Sequence, residues 1–294
     1  MELIVHLLVI GFFQGCAYAL VALGFALIFN TTKIFNFAHG AVYTFSAYMT
    51  YLFSSVFGIN LAASAICSMF LSATLGILIE ICFYRPMRRW QSSPLVIMIV
   101  SLGLLILIQN GIAIFFGSDM KRLSVGGMLY TFNIGSLTIT SLQLVTFLLS
   151  IVLFIVVYIF LKYTWVGNEI RAITNDPEVG RVIGINAEKV YLMATLVGSA
   201  LAAPASACIC YQMGIYPFMG FSVVLIGAIA VIIGGVGSVI GAGLGGMLIA
   251  MAENVGIWKI DSKWQTSIAF GVLFLFILFR PTGFFGHKIW KAKV

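Results

Sequence analysis

Long apolar stretches, separated by short polar segments, recur along the whole 294-residue chain. A helix needs about 20 apolar residues to cross a bilayer. The pattern predicts spans at 4–29, 40–57, 61–83, 94–116, 142–161, 190–211 and 266–280, together with a Gly-rich apolar region at 221–253. The predicted fold class is an all-α, polytopic transmembrane helix bundle, with residues 1–294 forming one transmembrane domain.

The composition supports a membrane protein and excludes most soluble classes. Hydrophobic residues make up 62% of the chain and charged residues 9%, against about 25% charged in soluble domains. The net charge of +7 does not indicate nucleic-acid binding, because the basic residues flank spans. We expect no metal site, since the five cysteines lie in apolar segments without CxxC spacing and are interpreted as buried small hydrophobes. Because the first apolar run is too long for a signal-peptide core, we expect it to remain in the mature protein.

The distribution of lysine and arginine predicts the orientation of the chain. Basic residues near span ends collect in the cytoplasm, and the densest cluster is RPMRRW at 85–90. Placing that cluster inside puts twelve basic residues in the cytoplasm and four outside. The twelve are Lys33, Arg85, Arg88, Arg89, Lys162, Arg171, Arg181, Lys189, Arg280, Lys288, Lys291 and Lys293, and the four are Lys121, Arg122, Lys259 and Lys263. The N-terminus is then outside and the C-terminus cytoplasmic.

This orientation requires an even number of passes within 221–253, because a single span there would force the basic tail outside. The region therefore forms either two spans or a re-entrant pair around GGVGS at 234–238. Short, Gly-interrupted segments are typical of broken helices in transporters. The bundle is predicted to have eight or nine helices.

A second break is predicted at KIFNFAHGAVY, residues 33–43, between two spans. Both breaks face the cytoplasm in this topology, and each is followed by a span that ends in Arg-Pro, at Arg85/Pro86 and Arg280/Pro281. This similarity suggests a parallel internal pseudo-repeat; chance similarity between Gly-rich helices is the alternative.

Polar and glycine residues at these breaks are the candidates for pathway or broken-helix roles. Irregular backbone at membrane depth needs protein or a water-filled cavity around it, so we expect Asn36 and His39 to satisfy freed backbone groups and Gly40 to permit a close backbone approach. A structural role is favoured for His39 over solute contact or gating. For polar residues inside spans, helix-to-helix hydrogen bonds are favoured over substrate contacts. The remaining candidates are Gln109, Asn110, Gly234, Gly235, Gly237 and Ser238.

The two longest loops could each contact a partner. The external loop, about 117–141, is a cap, a docking surface or a solvated connector. The cytoplasmic loop, about 162–189, places Ile170, Ile173, Val182 and Ile183 at the spacing of one helical face. A short helix is predicted there, with Pro177 at its first position and Gly184 past its end. Such a helix docks into a groove of a cytoplasmic protein or rests on lipid headgroups.

The motifs that are missing narrow the function. No GxxxxGK[ST] motif occurs, so any ATP is hydrolysed elsewhere and the chain is not expected to be an enzyme. Ion-coupled carriers usually bury acidic groups at mid-membrane, whereas Glu80 and Glu253 lie near span ends. Glu80 is expected to pair with the arginine cluster. An ion-coupled secondary transporter and a passive channel or structural subunit remain as alternatives.

Motifs along the whole chain resemble those of the membrane-spanning permeases of ABC importers for branched-chain amino acids. They are YALVALGFALIF, FNFAHGAVYTFSAYMTY, YRPMRR, SLGLLILIQN, VGNEIRAITNDPEVGRVIGIN, TLVGSALAAPASA, YPFMGF, AVIIGGVGSVIGAGLGG and FRPTGFFG. Pro204 departs from the family pattern, which commonly has a small residue there, and a proline inside a span is expected to kink it.

The resemblance implies a permease of the bacterial plasma (inner) membrane that acts with several partners. These are a second, similar permease, two cytoplasmic ATPase subunits that hold ATP and Mg, and an extracytoplasmic solute-binding protein; the chain itself binds no cofactor. The resemblance also makes the cytoplasmic loop an ATPase-coupling segment, with candidates Glu169, Arg171, Asp176, Glu178, Arg181, Gly184 and Asn186. The resemblance favours leucine, isoleucine and valine as the solutes that cross between the two permeases. Because the same superfamily includes permeases for urea and short amides, those solutes are the alternative.

Overall fold

The computed structural model describes residues 2–123, 130–134, 137–259, 261–280 and 282–286. Within them the chain forms a bundle of α-helices with one small β-hairpin. The helices are α1 (Glu2–Thr32), α2 (Ala38–Tyr51), α3 (Leu61–Ile79), α4 (Arg85–Arg89), α5 (Pro94–Phe116), α6 (Ser141–Tyr163), α7 (Trp165–Asn175), α8 (Pro177–Val182), α9 (Ala187–Met213), α10 (Met219–Gly234), α11 (Val239–Gly256) and α12 (Gln265–Phe279). The predicted all-α class is confirmed.

Six helical stretches of the described residues are long and apolar enough to cross a membrane, namely His6–Thr32, Leu61–Arg89, Pro94–Phe116, Ser141–Tyr163, Ala187–Met213 and Val239–Gly256. Helices α10 and α12 are shorter apolar helices. The helices outnumber the predicted eight or nine because α4 is the short final part of the Leu61–Arg89 stretch, and because α7 and α8 are short segments outside the apolar stretches. The Gly-rich region 221–253 contains two helices, as the parity argument requires.

Two helices continue through π-helical turns instead of ending where their α-helical hydrogen bonding stops. Leu52–Val56 extends α2, and Glu80–Tyr84 joins α3 to α4. Such turns insert an extra residue into the helical ladder and are frequent at functional sites. The second turn lies in one continuous helical stretch, in which Arg88 is about two turns beyond Glu80 and pairs with it.

Helix α1 lies at the centre of the bundle, packed most extensively against α11 and α9. Small residues allow close backbone approach in such contacts, as is usual between membrane helices. A side chain at Gly24 would lie only 2.7 Å from the Gly198 carbonyl oxygen of α9. Gly40 and Gly220 bring α2 and α10 into similarly close contact, so the close approach predicted at Gly40 is present.

The outward faces of α3, α5, α6 and α12 carry half of the exposed large apolar side chains. This is the surface that lipid or another membrane subunit covers. The prediction that all five cysteines are buried is wrong in part: Cys16, Cys208 and Cys210 are buried, but Cys67 and Cys82 are exposed on the α3 stretch. In a membrane an exposed small apolar residue carries no penalty, so apolar surroundings in the sequence do not imply burial.

The predicted external loop contains an antiparallel hairpin, β1 (Thr131–Ile134) and β2 (Leu137–Thr140), which the all-α prediction did not include. Residues 124–129 and 135–136 of that loop lie outside the described residues. Lys121 pairs with Ile215 through two backbone hydrogen bonds of 2.8 Å, which ties this loop to the α9–α10 connection. Helix α9 runs without interruption through Pro204.

Candidate functional site

One end of the bundle, here called the basic end, holds the two breaks, α4, α7, α8 and Arg280. A buried charged cluster joins its elements. Arg88 pairs with Glu80 and also donates from Nε and Nη2 to the carboxylate of Glu188 at 3.2 and 2.9 Å. Glu80 is 1% exposed. The expected pairing of Glu80 with the arginine cluster is therefore confirmed, and Arg88 is the partner.

The cluster connects the α3–α4 stretch to α9 and to the first break. Thr195 of α9 donates to Glu80 at 3.4 Å, and the Arg88 guanidinium lies 4.7 Å from the ring centroid of Tyr191. Tyr84, in the π-helical turn, donates a 2.6 Å hydrogen bond to the Asn36 side-chain oxygen. A shift of α4 relative to α9 would therefore alter the hydrogen bond between Tyr84 and Asn36 at the break between α1 and α2.

The backbone of the first break, residues 33–37, is held by a neighbouring helix. Ser101 of α5 accepts a hydrogen bond from the Phe37 amide at 3.0 Å, and its hydroxyl lies 3.3 Å from the Phe35 carbonyl. Asn36 and His39 were expected to satisfy these groups, but the structure gives that role to Ser101. Lys33 has a positive φ of 57°, which is uncommon outside glycine and marks the turn.

His39 is buried against Phe25, and its Nδ1 has no hydrogen-bond partner among the described residues. Its ring also lies next to Gly24, where an added side chain would come within 3.3 Å of Nε2. The imidazole thus fills the space that the α1–α9 contact leaves beside the break. This packing does not assign it a role in solute contact or gating.

The second break, residues 235–238, is built from positive-φ glycines. Gly235 has φ 106° and Gly237 has φ 98°, conformations that side chains rarely adopt. Ser238 caps α11 by accepting from the Gly241 amide at 2.9 Å. The Gly237 amide donates to the side-chain oxygen of Asn30 at 2.8 Å, so this break is attached to the end of α1. Gly234 packs against the backbone of Gly241 across the break.

The remaining pathway candidates, Gln109 and Asn110, form no hydrogen bond with the charged cluster or with either break among the described residues. Gln109 is buried in α5, and its Nε2 has no partner among the described residues. Asn110 is exposed and donates to the Ile106 carbonyl of its own helix at 2.8 Å. The two adjacent residues therefore face different surroundings, and only Gln109 points into the bundle.

The predicted coupling segment folds into two short helices, α7 and α8. Asp176 caps α8 by accepting from the amides of Glu178 and Val179 at 2.9 and 3.1 Å, and Pro177 occupies the first position. Gly184 ends the segment with φ 89°. The predicted start and end of this helix are confirmed.

The other candidates of this segment lie around the two helices. Glu169 accepts from the Trp165 indole at 3.1 Å, Arg171 bonds to Asn168, and Asn186 caps α9. Arg181 and Glu178 are exposed, and no hydrogen bond or ion pair of their side chains occurs among the described residues.

The apolar residues of this segment divide between two surfaces, whereas the spacing predicted one face. Ile170 and Ile173 are buried against α1 and α9. Val179, Val182 and Ile183 are 57%, 85% and 66% exposed and form an uncovered patch. Helix α7 therefore anchors the segment, and α8 presents apolar surface away from the bundle.

A cavity of about 350 Å³ links this segment to the second break. Its lining includes Arg171 of α7, Lys162 of α6, and Gly237 and Ser238 of the break. The coupling segment and the α10–α11 break thus face the same space at the basic end.

These features define a multi-pass membrane protein with broken helices and a helical segment projecting from one end, as expected of a transport subunit. Residues 7–278 match the family described as branched-chain amino acid transport system, permease component, and the chain belongs to this family.

Relatives with this description share the full length of the chain. The high-affinity branched-chain amino acid transport system permease protein BraD of Pseudomonas aeruginosa is 31% identical over 95% of both chains. LivH of Escherichia coli K12, with the same description, is 28% identical over 94% of each. A probable branched-chain amino acid transport permease of Methanocaldococcus jannaschii is 25% identical over 93% of this chain and 90% of its own.

A solved structure, PsaBC from Streptococcus pneumoniae in complex with Fab, has a similar fold. Its TM-score is 0.51 at 12% identity, covering 94% of this chain and 91% of the other. At this identity the likeness concerns the fold alone.

Sequence reasoning missed several residues that shape these sites, among them Ser101, Tyr84 and Glu188. Each acts through a partner far along the chain: Ser101 lies 64 positions from Phe37, and Glu188 lies 100 positions from Arg88. The position of Glu253 near a span end does not predict a role for it, although a single acid inside a Gly-rich apolar helix is itself a signal.

Proposed function

We propose that this chain is the membrane-spanning subunit of an ATP-driven importer of branched-chain amino acids in the bacterial plasma membrane. Its partners are a second permease, two cytoplasmic subunits that bind and hydrolyse ATP with Mg, and an extracytoplasmic solute-binding protein. The full-length match to permeases of such systems supports the solute class. Solute delivered by the binding protein crosses between the two permeases.

The proposed orientation places the basic end in the cytoplasm, with the N-terminus outside. The excess of twelve basic residues over four supports it through the positive-inside rule. Exposed Trp90, Tyr163 and Trp165 lie at the same end, where amphipathic rings suit the membrane–water interface. The coupling segment then projects towards the ATPase subunits.

The observation that carries the proposal is that α7 packs into the bundle, whereas the apolar side chains of α8 are exposed. Helix α7 is rooted in the bundle through Ile170 and Ile173, whereas α8 offers Val179, Val182 and Ile183 to a partner. An amphipathic helix that lays its apolar face into a groove is a common mode of recognition. ATP binding closes the ATPase subunits and moves α8, and α7 carries that movement into the bundle through the contacts of Ile170 and Ile173 with α1 and α9. Nucleotide shifts this equilibrium only by its different affinity for the two states.

The test uses the complete importer reconstituted in liposomes, with ATP hydrolysis measured with and without solute-loaded binding protein. We expect Val182→Asp, Arg171→Glu and Gly184→Trp to abolish the stimulation by solute, while Lys189→Glu, an exposed charge change outside α8, leaves it intact. Val182→Asp should also release the ATPase subunits during purification. Unchanged stimulation and unchanged assembly in all three variants would contradict the coupling role.

The same liposomes separate the alternatives. Uptake that continues without ATP and collapses with an uncoupler would instead indicate an ion-coupled carrier. ATP-dependent uptake of urea or short amides, with none of leucine, isoleucine or valine, would retain the mechanism and overturn the solute class.

A further inference from the structure

A second cavity, of about 220 Å³, lies away from the basic end, among α1, α2, α9, α10, α11 and α12. One part of its lining is apolar and includes Met213, Met219 and Val223. The other part is polar and includes Tyr18, Glu253 and Gln265. Ligand sites commonly have this composition, with apolar walls and a few well-placed polar groups.

Glu253 is the acidic group of this cavity, and the protein buries it almost completely. It lies in the last turns of α11, about 20 Å along the helix from Ser238. The residue is 1% exposed. Tyr18 and Gln265 both donate to its Oε2 at 3.2 Å. Among the residues that the structure describes, no hydrogen bond reaches Oε1, although the side chain lines the cavity.

No basic residue pairs with Glu253 in the described part of the chain, where every ion pair involves Glu80, Glu188 or Asp261. The contrast with Glu80 is informative, because that buried carboxylate is matched by Arg88. An ionisable group inside a membrane helix is costly and marks a functional site by default. A carboxylate that lacks an internal cation and lines a cavity is suited to a cation supplied from outside.

The polar groups around Glu253 are oriented to support a negative charge. The Asn254 amide donates to Gln14 Oε1 at 2.9 Å, and Gln14 Nε2 donates to the Tyr18 hydroxyl at 2.9 Å. Tyr18 in turn donates to Glu253. Only the Tyr18 hydroxyl of this series bonds to the carboxylate, and the Gln14 amide orients that hydroxyl by donating to it. A hydrogen bond donated to a carboxylate stabilises its charged form. The arrangement orients Oε2 within the wall and leaves Oε1 for a ligand.

We propose that this cavity is a solute site of the permease, in which Glu253 binds the ammonium group of an amino acid and the apolar wall accepts its side chain. The inference rests on the proposed function and deepens it, because it assigns the solute's charged group to a residue of this chain. It also discriminates between solute classes: urea and short amides carry no ammonium group, so they can donate hydrogen bonds to the carboxylate but cannot form an ion pair with it.

The test reads occupancy of the cavity directly, in the complete importer in liposomes without ATP or binding protein. Ser222 lines the cavity and is exposed, so Ser222→Cys in an otherwise cysteine-free chain reports on access of a small neutral maleimide. Removing the native cysteines is necessary because Cys210 also lines the cavity. This background must first match the wild-type importer in assembly and in the same uptake assay.

Three probes separate the groups of the solute: leucine, 3-methylbutylamine, which keeps only the cation, and 4-methylpentanoate, which keeps only the anion. We expect leucine and the amine to slow labelling and the acid to have no effect. Glu253→Gln, which preserves shape, should raise the protecting concentration of leucine and of the amine by about tenfold or more, and Glu253→Asp should restore much of the protection.

Protection by 4-methylpentanoate but not by the amine, or equal protection in Glu253→Gln, would overturn the proposal. Uptake driven by an imposed proton gradient alone, and lost in Glu253→Gln, would also overturn it by making Glu253 a proton carrier. Because labelling involves no ATP, absence of ATP-driven uptake would defeat the proposed function while leaving the protection pattern interpretable.

Discussion

The side chain of Asn30 accepts a hydrogen bond from the backbone amide of Gly237 at 2.8 Å, although 207 positions separate the two residues. Asn30 lies at the end of α1, just before the first break, and Gly237 lies within the second. The two irregular segments are therefore held together, and a movement at one is transmitted to the other.

Removing this bond should loosen the junction of the breaks. Asn30→Leu leaves the Gly237 amide without its partner, and we expect a loss of about 1 kcal/mol in the free energy of unfolding, measured by denaturant titration in detergent. Asn110→Leu is the matched control, because Asn110 is exposed and bonds only to its own helix. Equal stability of the Asn30 variant and the wild type would show that the bond contributes nothing.

The contact of Gly40 with Gly220 leaves no space for a side chain. A Cβ at Gly40 would meet the Gly220 backbone carbonyl, with its carbon at 2.9 Å, so Gly40→Ala should force α2 and α10 apart. We expect poor yield or a fall in thermal stability equivalent to about 1–3 kcal/mol. Gly103→Ala, where no atom lies within 4 Å, should behave like the wild type. A Gly40→Ala protein as stable as this control would argue against the close packing.

Arg88 is the cation that compensates Glu80. Arg88→Gln leaves a buried carboxylate unpaired, and breaking such a pair costs about 3–5 kcal/mol. The double variant Arg88→Gln/Glu80→Gln should recover part of this loss, since the unpaired charge is removed. Arg89→Gln, at an exposed position in the same cluster, serves as the control. If unfolding measurements give additive losses for Arg88 and Glu80, the two side chains are not coupled.

Ser101 holds the backbone of the first break through the amide of Phe37. Ser101→Ala should cost about 1 kcal/mol and should increase hydrogen exchange at that amide. Thr74→Ala removes an exposed hydroxyl that bonds only to its own helix, and it should leave both quantities unchanged. Unaltered exchange at Phe37 in the Ser101 variant would mean that the hydroxyl does not support the break.

Hydropathy, together with the residues that start and end helices, predicted most of the helices. The span at 94–116 coincides with α5, and the Asp176-Pro177 and Gly184 signals located α8, because both kinds of signal depend on neighbouring residues in the chain. Local sequence could not show that Ser101, instead of Asn36 or His39, supports the first break. Local sequence also could not show that Ile173 is buried and Val182 exposed, because a periodic pattern does not reveal which apolar residues the bundle covers. The internal pseudo-repeat stays a prediction.

The first helix carries polar groups whose partners lie at the other end of the chain. Gln14, Tyr18 and Asn30 bond to residues 240, 235 and 207 positions away, all in or near α11. During synthesis these groups enter the membrane long before α11 exists, and an unsatisfied polar group in hydrocarbon is costly. The polar groups of α1 are therefore synthesised well before the residues that satisfy them. Final assembly waits for α11, because a chain that lacks this helix leaves the side-chain oxygens of Gln14 and Asn30 without the donors that satisfy them in the complete structure.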